Sequence, residues 1–174
     1  MIEQGQTIPA VSLSQLSDEG MQTLTNNELF ADKKVVLFAV PGAFTPTCSN
    51  AHLPGYIALA DKFKAKGINA IYCVSVNDAF VMKAWGESQN AEHIDMLADG
   101  DASFTRALGL EKDTAGFGGL RSKRYAMVVD NGVVEAFFPE AGMTDNLHID
   151  TDPYEISTPE NLLAYCRTKS RVAA

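Results

Sequence analysis

The sequence predicts an α/β fold with a mixed central β-sheet flanked by helices, and three observations carry that expectation. Short β-rich apolar runs alternate with stretches of helical periodicity between residues 35 and 108. Asn131-Gly132 then separates two further β-rich runs, which is a strong signal for a hairpin and so for antiparallel strands. Last, Thr158-Pro159-Glu160 reads as an N-cap followed by proline in the first turn of a closing helix. Alternation early and an antiparallel pair late give one mixed sheet with helices on both faces.

Each element has its own reason. Val35-Val36-Leu37-Phe38-Ala39-Val40, preceded by Lys33-Lys34 and followed by Pro41-Gly42, is apolar throughout and reads as a buried strand. From Ser49 to Lys66, Leu53, Tyr56, Ile57, Leu59, Ala60 and Phe63 recur at helical spacing, and Gly67 is a plausible stop. Asn69 to Val76 is a second strand. Asp78 can cap a helix from Ala79 to about Ser88 that carries Phe80, Met82 and Trp85. Ile94 to Leu97 reads as a third strand, and Ala102 to Leu108 as a short helix closed by Gly109. Asp113 to Lys123 is glycine-rich and reads as a loop. Arg124–Asp130 and Val133–Phe138 form the hairpin, and the last helix runs from Pro159 to about Arg167. This is a thioredoxin-like α/β layout. With no repeat, linker or low-complexity block, residues 1–174 are expected to form one domain.

Composition excludes some functions. A net charge of −8 lacks the basic footprint of a generic nucleic-acid binder. No apolar run approaches the roughly 18 residues of a membrane span. Met1-Ile2-Glu3-Gln4-Gly5-Gln6 lacks the regions of a signal peptide, so a cytoplasmic location is expected. The cysteines at 48, 73 and 166 are odd in number and scattered, which is no disulfide framework. There is no CxxC and no Cys/His spacing suited to zinc, so no metal or other cofactor is expected. The glycines at 116, 118 and 119 do not open a helix after a strand, and are no phosphate loop.

Cys48 stands out by its place. It follows a buried strand and lies at the start of a helix, where unpaired N–H groups and the positive end of the helix dipole favour a thiolate. Pro41 and Pro46 stiffen the connection and remove two backbone donors. Thr45, three residues earlier, is expected to bring its hydroxyl to the sulfur or to a substrate.

The segment Val40-Pro41-Gly42-Ala43-Phe44-Thr45-Pro46-Thr47-Cys48-Ser49 resembles the PxxxTxxC signature of the peroxiredoxin family, most closely the atypical type II and peroxiredoxin-five-like group. His52-Leu53-Pro54-Gly55-Tyr56, Val74-Ser75-Val76-Asn77-Asp78, Phe80-Val81-Met82-Lys83-Ala84-Trp85 and Arg121-Ser122-Lys123-Arg124-Tyr125-Ala126-Met127 extend the likeness from about residue 3 to residue 165. The resemblance implies reduction of hydrogen peroxide and alkyl hydroperoxides through a cysteine sulfenic acid. It assigns Cys48 as nucleophile, Thr45 as the residue that holds the peroxide, Pro41 as a shield against water and Arg124, in preference to Arg121, as the cation beside the sulfur. Gly42, Phe44, Thr47, Phe117 and Leu120 are expected around the pocket. A homodimer is also implied.

The remaining residues divide less sharply. Cys73 sits between Tyr72 and Val74 in an apolar strand and reads as a small buried hydrophobe. In mammalian relatives a resolving cysteine lies in the loop after the hairpin, but residues 143–151 here contain none. A one-cysteine cycle served by glutathione or glutaredoxin therefore fits better, with thioredoxin as the other donor, and a resolving role for Cys166, near the end of the last helix, is the less favoured alternative. His52, four residues after Cys48, is a candidate for tuning the thiolate or for proton transfer, although a structural or interface role is preferred. His93 and His148 are read as surface residues, and Trp85 and Phe80 as core or subunit contacts. Rival functions are a redox-sensing binding protein in which oxidation of Cys48 switches a partner surface, and a cysteine hydrolase using Cys48 and His52. The hydrolase lacks an evident acid to orient the histidine. A dithiol oxidoreductase is disfavoured because no cysteine lies three residues from Cys48.

Overall fold

The central strands are buried on both faces, and their side chains alternate between two separate cores. The computed structural model describes residues 1–141 and 153–173. In chain order its elements are β1 (Leu13–Ser17), β2 (Gly20–Leu24), α1 (Asn26–Phe30), β3 (Lys34–Ala39), a π-helical turn (Cys48–His52), α2 (Leu53–Ala65), β4 (Ala70–Ser75) and α3 (Ala79–Ser88). They continue as β5 (Asp95–Ala98), α4 (Ser103–Leu108), β6 (Glu111–Asp113), a 3₁₀ turn (Ala115–Phe117), β7 (Leu120–Ser122), β8 (Tyr125–Asp130), β9 (Val133–Pro139) and α5 (Pro159–Ala173).

Seven strands form one sheet in the order β2-β1-β5-β4-β3-β8-β9. β3 pairs in parallel with β4, and β4 with β5, whereas β8 runs antiparallel to both β3 and β9. Because strand side chains alternate, Val36, Phe38, Ile71, Cys73, Ala126 and Val128 face one core with Cys48, Tyr56, Trp85 and Leu162. Val35, Leu37, Tyr72, Val74, Met127 and Val129 face the other core, with Phe30, Phe104 and Leu108. The mixed sheet expected from the sequence is therefore the one found, matching the thioredoxin-like layout.

Local chemistry explains the boundaries. Asp78 accepts the Val81 N–H at 2.8 Å and starts α3. Gly109 ends α4 with φ 70°, in the left-handed region that favours glycine. Asn131 and Gly132 take φ 48° and 81°, the conformation of a tight hairpin turn. Thr158 Oγ1 accepts the Asn161 N–H at the start of α5.

Four expectations need correction. The segment 113–123 is not a plain loop, because β6 and β7 pair as a small hairpin about the 3₁₀ turn. The helix expected from Ser49 opens as a π turn over Cys48–His52 before regular α-helix begins at Leu53. Arg124 lies immediately before β8 and does not begin it. Phe80 is 65% exposed and is not in the core. The first 33 residues add β1, β2 and α1, whose mixed polar composition gave no clear periodicity. Residues 143–151, and His148 with them, lie outside the described residues.

Candidate active site

The connection from β3 to α2 carries Cys48 and is held in place by side chains from the neighbouring strand ends. Asn77, just past β4, accepts the Ala43 N–H at 3.0 Å and the Ser75 hydroxyl at 2.5 Å, which pins the turn. Phe44 adopts φ 62°, a left-handed conformation that a bulky residue takes only when its surroundings enforce it. Gly42 is packed so closely that a Cβ there would lie 3.0 Å from Thr45 Cγ2.

Helical backbone starts at Pro46, which places Cys48 in the first turn. In the π turn the Leu53 N–H reaches back to the Cys48 carbonyl, five residues away. Such wide turns are frequent at functional sites. α3 braces this turn: the Trp85 indole N–H donates to Ser49 Oγ at 3.0 Å, and the Gln89 amide donates to the Ser49 carbonyl at 2.9 Å.

Cys48 and Arg124, 76 residues apart in sequence, meet beneath this turn, and both are fully buried. Arg124 Nη2 donates to Cys48 Sγ at 3.2 Å, and Nη1 donates to His52 Nδ1 at 2.7 Å. One planar fork thus faces the sulfur and the imidazole together. His52 Nε2 in turn donates to the Ser157 carbonyl at 3.3 Å. Burial, followed by the charge of Arg124, holds the His52 pKa well below its ordinary value, so the ring is neutral and its Nδ1 lone pair is available to the guanidinium. Phe38, Tyr56 and Tyr154 enclose the imidazole at ring-centre distances of 4.9, 5.5 and 5.0 Å. The Arg124 guanidinium also lies 5.9 Å from the centre of the Tyr154 ring, a cation–π contact.

Other expected site residues fall differently. Thr45 Oγ1 donates to the Gly42 carbonyl at 2.6 Å and not to the sulfur. Arg121, the competing cation, spends its donors on Val76 O at 2.8 Å and Gly118 O at 3.0 Å, beside Gly42. Thr47 and Leu120 are half-buried, while Phe44 and Phe117 are 56% and 51% exposed. Pro41 is half-buried at the end of β3. His52 has both nitrogens committed away from Cys48, so the arrangement offers no base to that cysteine and does not fit a Cys/His hydrolase. His93 is exposed. Cys73 and Cys166 are buried, and none of the three cysteines is disulfide-bonded.

Sequence reasoning did not identify Tyr154, Ser157 or Glu140 as part of this neighbourhood. Each reaches it from the segment around α5 or from the end of β9, and no local pattern announces such long-range contacts.

A family model described as Redoxin matches residues 3–151. A peroxiredoxin of Rhizobium etli is 52% identical over 80% of this chain and 77% of its own length. Reduced Prx3 from Vibrio vulnificus, in complex with hydrogen peroxide, superimposes with a TM-score of 0.89 at 66% identity, covering 95% of this chain and 99% of that one. Peroxiredoxin 5 from Alvinella pompejana gives a TM-score of 0.74 at 41% identity, covering 83% and 93% of the two chains. The family model and these relatives agree: the chain belongs to the peroxiredoxins of the redoxin family, in the atypical type II and peroxiredoxin-five-like group, and is a thiol peroxidase.

Proposed function

We propose that Cys48 is the peroxidatic nucleophile, reducing hydrogen peroxide and alkyl hydroperoxides. The observation that carries this reading is the Arg124 Nη2 donor 3.2 Å from Cys48 Sγ in a buried site. The sulfur attacks one peroxide oxygen, the S–O bond forms as the O–O bond breaks, and the departing oxygen takes a proton to leave as water or an alcohol. Sulfur is oxidised to the sulfenic acid. Arg124 is a fixed donor for charge moving from sulfur to the leaving oxygen, the arrangement that contributes most in a water-poor site. Thr45, whose hydroxyl proton is engaged by the Gly42 carbonyl, keeps its oxygen lone pairs for the peroxide O–H. Pro41 brings no N–H of its own and walls the pocket from water. Gly42, Phe44, Thr47, Phe117 and Leu120 shape its rim.

The sulfenic acid is returned to the thiol by glutathione or glutaredoxin: one thiol condenses with it to a mixed disulfide and water, and a second thiol releases the disulfide. Three facts support an external donor. Residues 143–151 contain no cysteine. Burial, then the nearby Cys48, push the Cys73 thiol up. Burial, chiefly, also raises Cys166. Both are thereby kept as thiols, the form that attacks a sulfenic acid poorly. A homodimer is part of the same reading, in keeping with the family resemblance.

Stopped-flow consumption of stoichiometric hydrogen peroxide tests the assignment. Loss should vanish in Cys48→Ser and survive in Cys166→Ser; equal rates in wild type and Cys48→Ser would contradict it. Robust turnover with thioredoxin alone would overturn the glutathione reading.

A further inference from the structure

The contacts that fix Arg124 do not stop at His52. Glu140, the residue after β9, is only 7% exposed. Its carboxylate accepts the N–H groups of Glu155 at 3.0 Å, Ile156 at 2.8 Å and Ser157 at 2.6 Å, and the Ser157 hydroxyl at 2.6 Å. Burial pushes the Glu140 carboxyl up, but the bonds from Ser157, Glu155 and Ile156 outweigh it and hold the group below the ordinary carboxylate range. The Glu140 N–H donates to the Arg124 carbonyl at 3.1 Å.

Glu140 is therefore tied to Arg124 by two routes. One is direct, through the backbone. The other runs from the carboxylate to Ser157, from the Ser157 carbonyl to His52 Nε2, and from His52 Nδ1 to Arg124 Nη1. Arg124, Glu140, Ser157 and His52 close a ring, and the one donor of the Arg124 fork that faces the sulfur projects from it.

We propose that Glu140 is a positioning residue for the peroxidase reaction: by fixing the Ser157 carbonyl it sets the tautomer and orientation of His52, and through His52 the aim of Arg124 at Cys48. The inference rests on the peroxidase reading above and assigns no contact between Glu140 and substrate. Its physical basis is the Ser157 carbonyl, which receives both His52 Nε2–H and the Tyr56 hydroxyl, the latter at 2.8 Å. While that carbonyl stays in place, Nε2 carries the proton and Nδ1 presents its lone pair to the guanidinium. If it moves, the imidazole is free to turn, and the rigid fork transmits the error to Nη2. Loss of such support commonly leaves a site present but slightly misplaced, with rate losses of about 10- to 100-fold.

The test uses Glu140→Gln and Ser157→Ala in the full chain. Two readouts are the second-order rate of Cys48 oxidation by hydrogen peroxide and the ¹⁵N NMR signature of the His52 imidazole. Glu140→Gln should slow oxidation about 10-fold and remove the clean Nε2–H tautomer signature. The same substitution should add little in an Arg124→Gln background, because the two residues act as one unit. Tyr165→Phe is the control: it removes the 2.9 Å bond from Tyr165 on α5 to Glu135 of β9, outside the ring of four residues, and should cost stability without changing the rate. Should Glu140→Gln fail to fold, Ser157→Ala, which removes only the hydroxyl contact, carries the same readouts. A folded Glu140→Gln with the wild-type rate and an unchanged His52 signature would overturn the proposal. So would an undiminished effect in the Arg124→Gln background. Absence of any Cys48-dependent oxidation in wild type would instead overturn the peroxidase reading, and the His52 spectrum would still decide whether Glu140 sets the tautomer.

Discussion

Cys48 and Cys73 are both fully buried and belong to the same apolar core, yet their sulfurs face different chemistry. Cys73 lies in β4, opposite Phe38 of β3 and Met96 of β5, and its burial pushes the thiol up. Cys48 sits in the first turn of a helix with an arginine donor 3.2 Å from its sulfur. Burial alone gives an inert cysteine; burial with a fixed donor gives a site that can support charge moving across the sulfur. On the proposed reading, the origin of reactivity lies in Arg124 and the turn, not in depth.

The strongest way to break this comparison is to remove the donor. Arg124→Gln should slow peroxide consumption by about 10²- to 10³-fold, as loss of one preorganised donor does elsewhere. Stopped-flow kinetics on the folded variant would check it, and a loss below about threefold would assign the chemistry to the helix turn instead.

A second prediction concerns His52. Its folded pKa lies well below the ordinary 6.5, so between the two values the unfolded chain binds the extra proton. Stability should therefore rise with pH across that window and fall as pH drops below about 6.5. Chemical denaturation at a series of pH values should show this dependence, reduced in His52→Gln. An unchanged slope in the variant would mean that other groups carry it.

The smallest effect is expected at Cys73. Cys73→Ala should cost about 1–2 kcal/mol of stability, the usual scale for a modest core truncation, and leave the peroxide rate within about twofold of wild type. A large kinetic effect would show that the two sulfurs work together.

Much of this site was legible in the sequence because its framework is local. The strand at Val35–Val40, the cap at Asp78, the turn at Asn131-Gly132 and the Pro41-to-Cys48 segment each announce themselves within a few residues. Arg124 was identified by resemblance, since no rule of spacing connects residues 76 positions apart. Two kinds of feature were not legible. β1 and β2 pair through polar sequences such as Ser14-Gln15 and Gln22-Thr23, whose periodicity is weak at a sheet edge. Glu140, Ser157 and Tyr154 matter only through tertiary contacts, and a lone glutamate after a strand looks like any solvated charge. The Thr45 hydroxyl illustrates a finer limit: its placement near Cys48 follows from spacing, but its choice of the Gly42 carbonyl depends on the turn that Phe44 and Asn77 enforce.

The central claim is that Cys48 attacks peroxide with Arg124 as its donor. The most direct measurement is the rate at which one equivalent of hydrogen peroxide oxidises the reduced protein, with the product located by mass spectrometry, in wild type, Cys48→Ser and Arg124→Gln. The account predicts fast formation of a sulfenic acid on Cys48 alone, no reaction in Cys48→Ser and a rate at least about 100-fold lower in Arg124→Gln. Oxidation that begins on Cys73 or Cys166, or a rate indifferent to Arg124, would contradict it.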